Sequence, residues 1–127
     1  MKQVKRDRLR FSFDIDGVIF PEHPGGFITE CTPYKQAVEI ISELHAAGHT
    51  IILHTARPYR LLETTIKQLA KYKIPYHTLV MGKPSADFII DDRAIPFKNW
   101  AFPYADHFIK ALKIKIEAKM KEPRWNK

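Results

Sequence analysis

Apolar runs of strand-like composition alternate along this chain with stretches of helical periodicity. The strand-like runs, rich in β-branched and aromatic residues, cover residues 9–14, 49–55, 76–81 and 87–91. The helical stretches, in which apolar residues recur every three or four positions, cover residues 34–47, 59–72 and 104–121. This alternation is typical of βαβ units, so we predict an α/β fold built on a mainly parallel sheet.

Polar, chemically capable side chains stand at the carboxyl ends of three predicted strands. Asp14 and Asp16 end the first, Thr55 ends the second, and the Asp91-Asp92 pair ends the fourth. Open α/β sheets bind ligands beyond the carboxyl ends of their strands. We therefore expect these groups to meet at one edge of the sheet.

Asp14 and Asp16 are the first candidates for catalysis. Two carboxylates that are two residues apart on an extended chain point the same way, and like charges that close disfavour double ionisation. One can stay ionised while the other holds a proton, which is what acid–base chemistry at neutral pH requires. The alternative is a pair of turn acids, because Asp-Gly sequences such as Asp16-Gly17 are common in turns.

Three further residues could hold a phosphate. Thr55 ends a strand just before a helix start, where its hydroxyl and the following N–H groups could cradle an anion, or where it could simply be an N-cap. Arg57 could bind a phosphate through its guanidinium fork, or equally form a surface ion pair. Lys83 lies in a tight Gly-Lys-Pro turn, where it could neutralise an anion or simply be exposed. His54 should face away from Thr55, and we interpret it as structural.

Asp91 and Asp92 follow an apolar run directly. Adjacent carboxylates after a buried strand suit a hard cation with oxygen ligands, and Mg²⁺ is the usual partner of phosphate groups. The acidic pair at the end of the fourth predicted strand therefore predicts a magnesium site.

In order along residues 11–92, these segments resemble the four motifs of the haloacid dehalogenase superfamily: Asp-Ile-Asp-Gly-Val, strand-Thr, Gly-Lys-Pro and strand-Asp-Asp. The resemblance implies a three-layer Rossmann-like fold with predicted strands in the order 3-2-1-4. It implies that Asp14 is a nucleophile that forms an aspartyl-phosphate and that Asp16 is the general acid and base. The Asp at position 16 favours the phosphatase branch, because the transport ATPases of the superfamily have Thr there.

The resemblance also implies how phosphate and metal are held. Thr55 and Lys83 would bind the phosphoryl oxygens. The Asp14 carboxylate, the Asp16 backbone carbonyl and the Asp91-Asp92 pair would bind Mg²⁺.

The chain departs from most members of that superfamily by being shorter. Only eight positions separate Lys83 from Asp91, so a helix usual between these motifs is missing. The segment 82–93 resembles a compact subgroup associated with capsule and surface-polysaccharide biosynthesis. Residues 17–33 leave no room for an inserted cap, so we expect a capless member. We expect the loop of residues 20–33 to cover the site and His23 to contact the substrate.

Charge, length and cysteine content add further expectations. The 127 residues predict one domain over residues 1–127. The formal net charge is +7, but the basic excess lies in the first ten and last eighteen residues, which weakens any inference to a nucleic-acid partner. With one cysteine, Cys31, no secretory leader and no apolar stretch near 20 residues, we expect a cytoplasmic protein without a membrane span.

These observations favour a phosphomonoesterase that uses Mg²⁺ and acts on a small phosphorylated metabolite, such as a sugar phosphate of surface-glycan synthesis. A phosphatase for nucleotides or nucleic-acid ends is the second interpretation, prompted by the basic termini. The third is a non-catalytic binding domain, against which the intact set of candidate residues argues. A homo-oligomer in which one protomer shields the next site is also compatible with a capless chain.

Overall fold

A computed structural model describes residues 3–5, 8–22 and 27–125. The described residues divide into two compact units. One unit runs from Arg10 to Asp87, and the other combines the described residues up to Leu9 with those from Phe88 onward. The single domain over residues 1–127 stays a prediction.

The Arg10–Asp87 unit is built on a three-stranded parallel sheet, which confirms the α/β prediction. Its strands are β2 (Arg10–Asp14), β3 (Thr50–His54) and β4 (Thr78–Val80), with β3 in the middle. In the register of the sheet, Asp14 lies beside His54 and His54 lies beside Val80. The carboxyl ends of the three strands therefore meet at one edge.

Two α-helices and the short 3₁₀ turn Ile28–Glu30 lie in the part of this unit that the structure describes. Helix α1 (Lys35–Ala46) buries Ala37, Ile41 and Leu44 on one side, as its apolar spacing predicts. The second predicted helix begins with a 3₁₀ turn, Tyr59–Leu61, and continues as α2 (Leu62–Lys71).

The two faces of the sheet differ in composition. Phe13 on β2 and Ile51 and Leu53 on β3 are buried in the core. Because side chains alternate along a strand, Asp14 and His54 lie on the opposite face, where they are half-buried.

The second unit contains the remaining regular structure. Helix α3 (Tyr104–Lys121) has the predicted bounds and packs Phe108 against Phe97 and Trp100 in edge-to-face contacts of 5.1 and 5.6 Å between ring centroids. Strands β1 (Gln3–Lys5) and β5 (Pro123–Trp125) pair antiparallel, a pairing that the apolar pattern did not predict. Within the described residues, no helix combines the length and apolar character that a bilayer crossing requires.

The prediction of a strand over residues 87–91 is wrong for this structure. These residues carry no regular structure, and Phe88, Ile89 and Ile90 are 85%, 62% and 97% exposed. The Asp91 carboxylate accepts the backbone N–H of Arg93 at 2.9 Å, so the chain turns here instead of extending. An apolar run becomes a strand only where another strand accepts its hydrogen bonds, and the composition of the run does not supply that neighbour.

Candidate active site

Asp14 is placed by the end of strand β2. The ladder continues one residue further, with Ile15 N–H donating to the carbonyl of His54 at 3.1 Å, so the position of Asp14 is fixed by the sheet. The chain then turns sharply at Gly17, which has φ of 95° and donates its N–H to the carbonyl of Phe20 at 2.7 Å. A tight turn therefore directly follows the two carboxylates.

Asp16 engages the protein through both carboxylate oxygens. Arg57 Nη2 donates to Oδ1 at 2.8 Å and Arg57 Nε donates to Oδ2 at 3.0 Å, which makes a two-point ion pair. The Thr55 hydroxyl also donates to Oδ2, at 3.3 Å. Asp16 is thus held in one orientation beside Thr55.

Arg57 lies almost entirely inside the protein, with 3% of its surface exposed. Its Nη1 donates to Thr65 Oγ1 at 3.1 Å and Gln68 Oε1 at 2.8 Å, and its Nη2 donates to the carbonyl of Ile28 at 3.3 Å. With the two bonds to Asp16, all five guanidinium N–H groups are used. The expectation that Arg57 contacts the substrate is therefore corrected, because a buried and fully bonded guanidinium has no donor left for a phosphate.

Thr55 is fully buried at the end of β3. Its hydroxyl oxygen accepts the backbone N–H of Arg57 at 3.0 Å while its hydrogen goes to Asp16. This hydrogen bond bends the chain after β3, but Thr55 is not an N-cap, because the 3₁₀ turn that follows begins at Tyr59 with Pro58 as its N-cap. The proposed contact between Thr55 and a phosphoryl group stays a prediction.

Lys83 is brought to the same strand ends by backbone hydrogen bonds. Gly82 N–H donates to the carbonyl of Arg57 at 2.9 Å and Lys83 N–H donates to the carbonyl of Thr55 at 2.8 Å. Gly82 has φ of 70°, a conformation that favours glycine. Asp14, Asp16, Thr55 and Lys83 therefore share one edge of one unit, although three separate segments of the chain supply them.

The electrostatic environment of Asp14 reflects this arrangement. Burial raises the pKa of the Asp14 carboxyl above its ordinary value, and the positive charge of Lys83 opposes that rise. Burial also lowers the pKa of His54, and Lys83 lowers it further. Burial and the charge of Lys83 thus both favour the neutral form of the His54 ring, while the nearby Asp14 carboxylate opposes this effect on the His54 pKa.

His54 is a neighbour of Asp14 that the sequence interpretation missed. The prediction that it faces away from Thr55 is right, but that face is the one on which Asp14 lies. Its Nδ1 is 2.6 Å from the Ser12 hydroxyl, which orients the ring. The sequence could have predicted this neighbour. Side chains alternate along each strand, and with Asp14 paired to His54 in the parallel sheet, Ser12, Asp14 and His54 point to the same face.

The remaining predicted site residues are Asp91, Asp92 and His23. Asp91 and Asp92 belong to the unit that includes Phe88 onward, and both are exposed. The backbone N–H of Arg93 lowers the pKa of Asp91. His23 lies outside the described residues.

The chemistry of the site fits a magnesium ion in part. The Asp14 carboxylate and the Asp16 carbonyl are hard oxygen donors of the kind that Mg²⁺ prefers, and a cation would compensate the burial that raises the pKa of Asp14. Among the described residues of the Arg10–Asp87 unit, no three His, Cys, Asp or Glu side chains form a metal-binding group.

Comparison with known proteins gives one partial relative. No known family profile matches the chain. A protein from Bacillus cereus, provisionally named a nucleotidase, is 41% identical over 51 residues, which are 40% of this chain and 27% of that protein. The match therefore spans about a quarter of that relative's length.

Two solved structures share the fold. A crystal structure from Vibrio cholerae has a TM-score of 0.62 at 23% identity and covers 84% of this chain and 98% of its own. A chain in the structure of the Pnkp1/Rnl/Hen1 complex has a TM-score of 0.52 at 20% identity, over 72% of this chain and 33% of its own. At these identities the likeness shows a common α/β architecture.

Proposed function

We propose that this protein is a phosphomonoesterase of the haloacid dehalogenase type, in which Asp14 is the nucleophile and Mg²⁺ is the cofactor. The observation that carries the proposal is the convergence of Asp14, Asp16, Thr55 and Lys83 on one strand edge within the Arg10–Asp87 unit. The local identity with a protein named a nucleotidase supports the same reaction class. A non-catalytic binding domain would have no need of this arrangement.

In the proposed reaction, an oxygen of the Asp14 carboxylate attacks the phosphorus of a phosphate monoester. The bond from phosphorus to the ester oxygen breaks, and that oxygen takes a proton from Asp16. Water then attacks the aspartyl-phosphate, Asp16 takes the proton of the water, and phosphate leaves with the Asp14 carboxylate restored. Lys83 neutralises charge on the phosphoryl oxygens, which is the main requirement of phosphoryl transfer.

Asp16 has room for this proton although three hydrogen bonds already reach it. A carboxylate offers about four acceptor positions, and the bonds from Arg57 and Thr55 leave one on Oδ1. We therefore assign Arg57 to positioning Asp16. The two bonds from Arg57 keep the Asp16 carboxylate in one orientation while Oδ1 gives up and takes back its proton.

The Asp14 carboxylate and the Asp16 carbonyl would hold Mg²⁺, with Asp91 and Asp92 as the proposed additional ligands. The ion would offset the repulsion between the anionic nucleophile and the phosphate. The three predicted strands that form lie in the order 3-2-1, and the fourth place of the predicted order 3-2-1-4 is empty because residues 87–91 form no strand. The absence of a cap and the link to surface-glycan synthesis remain parts of the proposal that come from the resemblance.

Phosphate release from a panel of sugar phosphates and nucleoside monophosphates tests this function. We expect turnover with Mg²⁺, loss of turnover in excess chelator, and recovery when Mg²⁺ is restored. The Asp91→Asn and Asp92→Asn variants should need more Mg²⁺ for half-maximal rate, whereas the control Asp106→Asn should not. Full activity in excess chelator would refute the metal dependence, and no turnover on any ester would refute the reaction.

A further inference from the structure

Tyr59 places an exposed aromatic ring beside the turn that carries Lys83. It is the first residue of the 3₁₀ turn after Pro58, and 70% of its surface is exposed. Its ring lies against Gly82: a Cβ built on Gly82 would be 3.1 Å from Cε2 and 3.6 Å from Cδ2 of the ring. One side of the ring thus contacts the turn, and the rest faces solvent.

Backbone hydrogen bonds on both segments fix this arrangement. The carbonyl of Arg57 accepts Gly82 N–H at 2.9 Å, and the carbonyl of Pro58 accepts Leu61 N–H at 2.9 Å. Arg57 itself is immobilised by five donated bonds, and Tyr59 follows it by two positions. A tyrosine ring held by its backbone loses little conformational entropy when a ligand packs on it.

We infer that Tyr59 is a stacking platform for the leaving group and that the substrates are nucleoside monophosphates. This inference rests on the proposed function, because Lys83 must hold the phosphoryl group for the adjacent ring to meet the rest of the ester. A nucleobase has a flat π-face that stacks on tyrosine whatever its hydrogen-bonding pattern. A simple sugar phosphate offers no such face, so this ring favours the nucleotide interpretation over the sugar one.

Hydrolysis of a nucleoside monophosphate needs no reactant other than water. The bond between phosphorus and the ester oxygen of the nucleoside breaks, and the nucleoside leaves with the proton from Asp16. The oxygen of one water molecule ends on the released phosphate. Tyr59 takes no part in bond making and acts as a specificity-determining residue.

The test compares AMP with ribose 5-phosphate, which has the same ester but no base. The ratio of kcat/KM for AMP to that for ribose 5-phosphate is measured in the wild type, in Tyr59→Ala and in the matched control Tyr59→Phe. We expect the ratio to fall roughly ten-fold in Tyr59→Ala and to be retained in Tyr59→Phe. Circular dichroism and Tm establish that each variant is folded, and Tyr59→Leu replaces the Ala variant if that one does not fold.

A ratio that is unchanged in a folded Tyr59→Ala or Tyr59→Leu protein would overturn the inference while leaving the phosphatase intact. If the wild type hydrolyses no ester of the wider panel, the proposed function fails instead. Calorimetric affinities of the same proteins for AMP and ribose 5-phosphate then decide the stacking separately. If the ratio of the affinity for AMP to that for ribose 5-phosphate is the same in the wild type and in Tyr59→Ala, stacking is rejected. If this ratio falls in Tyr59→Ala and is retained in Tyr59→Phe, stacking is supported.

Discussion

Arg57 and Asp16 form a buried ion pair in which the protein satisfies every guanidinium donor. The side chain of Arg57 is 1% exposed and that of Asp16 is 18% exposed. Removing one member of such a pair leaves a charge with little water and no partner, which is far more costly than losing an exposed ion pair. The pair therefore makes both the stability of the unit and the orientation of Asp16 depend on one side chain.

Replacing Arg57 with Gln is expected to lower the free energy of unfolding by about 3–5 kcal/mol. The milder Arg57→Lys keeps the charge but cannot reach both oxygens of Asp16 with a planar fork. Its kcat should fall about 100-fold, because a displaced catalytic group costs that much. The exposed Arg60 provides the control, since Arg60→Lys should change neither quantity. Wild-type kcat in a folded Arg57→Lys protein would show that Arg57 does not position Asp16.

Asp14 is expected to reduce stability in the absence of metal. Because burial raises its pKa in the folded state, the folded protein binds more protons than the unfolded chain between the unfolded and folded pKa values. Stability contributed by this group therefore decreases as pH rises through that window. Urea unfolding in chelator should show Asp14→Asn more stable than the wild type at pH 7, with the difference vanishing below the unfolded pKa. If Asp14→Asn were less stable than the wild type at pH 7, the conclusion that burial raises the pKa of Asp14 would be contradicted.

Helices and central strands are the elements that the sequence predicts well here. The spacing of Ala37, Ile41 and Leu44 defines α1, and the bounds of α3 agree with its apolar repeat. The pattern fails over residues 87–91, where a strand would require a neighbour that composition does not specify. It also misses β1 and β5, because three-residue strands carry too few positions for periodicity to register.

The turn at Gly82 is the element that sets the position of Lys83, so it provides a test at this scale. Gly82→Ala forces an L-residue to φ of 70° and brings its Cβ to 3.1 Å from the Tyr59 ring. We expect a loss of about 1–2 kcal/mol in stability and a lower kcat, because Lys83 moves with the turn. Gly48→Ala is the matched control, with φ of 92° and no atom within 4 Å of the added Cβ. Gly48→Ala should lower the stability and leave kcat unchanged. If Gly82→Ala and Gly48→Ala have the same kcat, the turn at Gly82 does not affect catalysis.

At the scale of the whole molecule, the proposed chemistry is distributed unevenly between the two compact units. Asp14, Asp16, Thr55 and Lys83 lie within Arg10–Asp87, whereas Asp91 and Asp92 belong to the other unit. The order of motifs in the sequence predicts the first group because strand ends in a parallel sheet must meet. It could not predict that Arg57 turns inward, since the acceptors Thr65, Gln68 and Ile28 come from α2 and from the 3₁₀ turn Ile28–Glu30, which residue spacing does not bring together.

The most direct test of the central claim is phosphate release by wild type and Asp14→Asn with Mg²⁺ on the same panel of esters. An amide oxygen cannot replace the carboxylate as the attacking nucleophile, so we predict turnover by the wild type and none by the folded Asn variant. Asp87→Asn, an exposed substitution in the same unit, should retain the wild-type rate. A folded Asp14→Asn protein that releases phosphate at a near-normal rate would contradict the account.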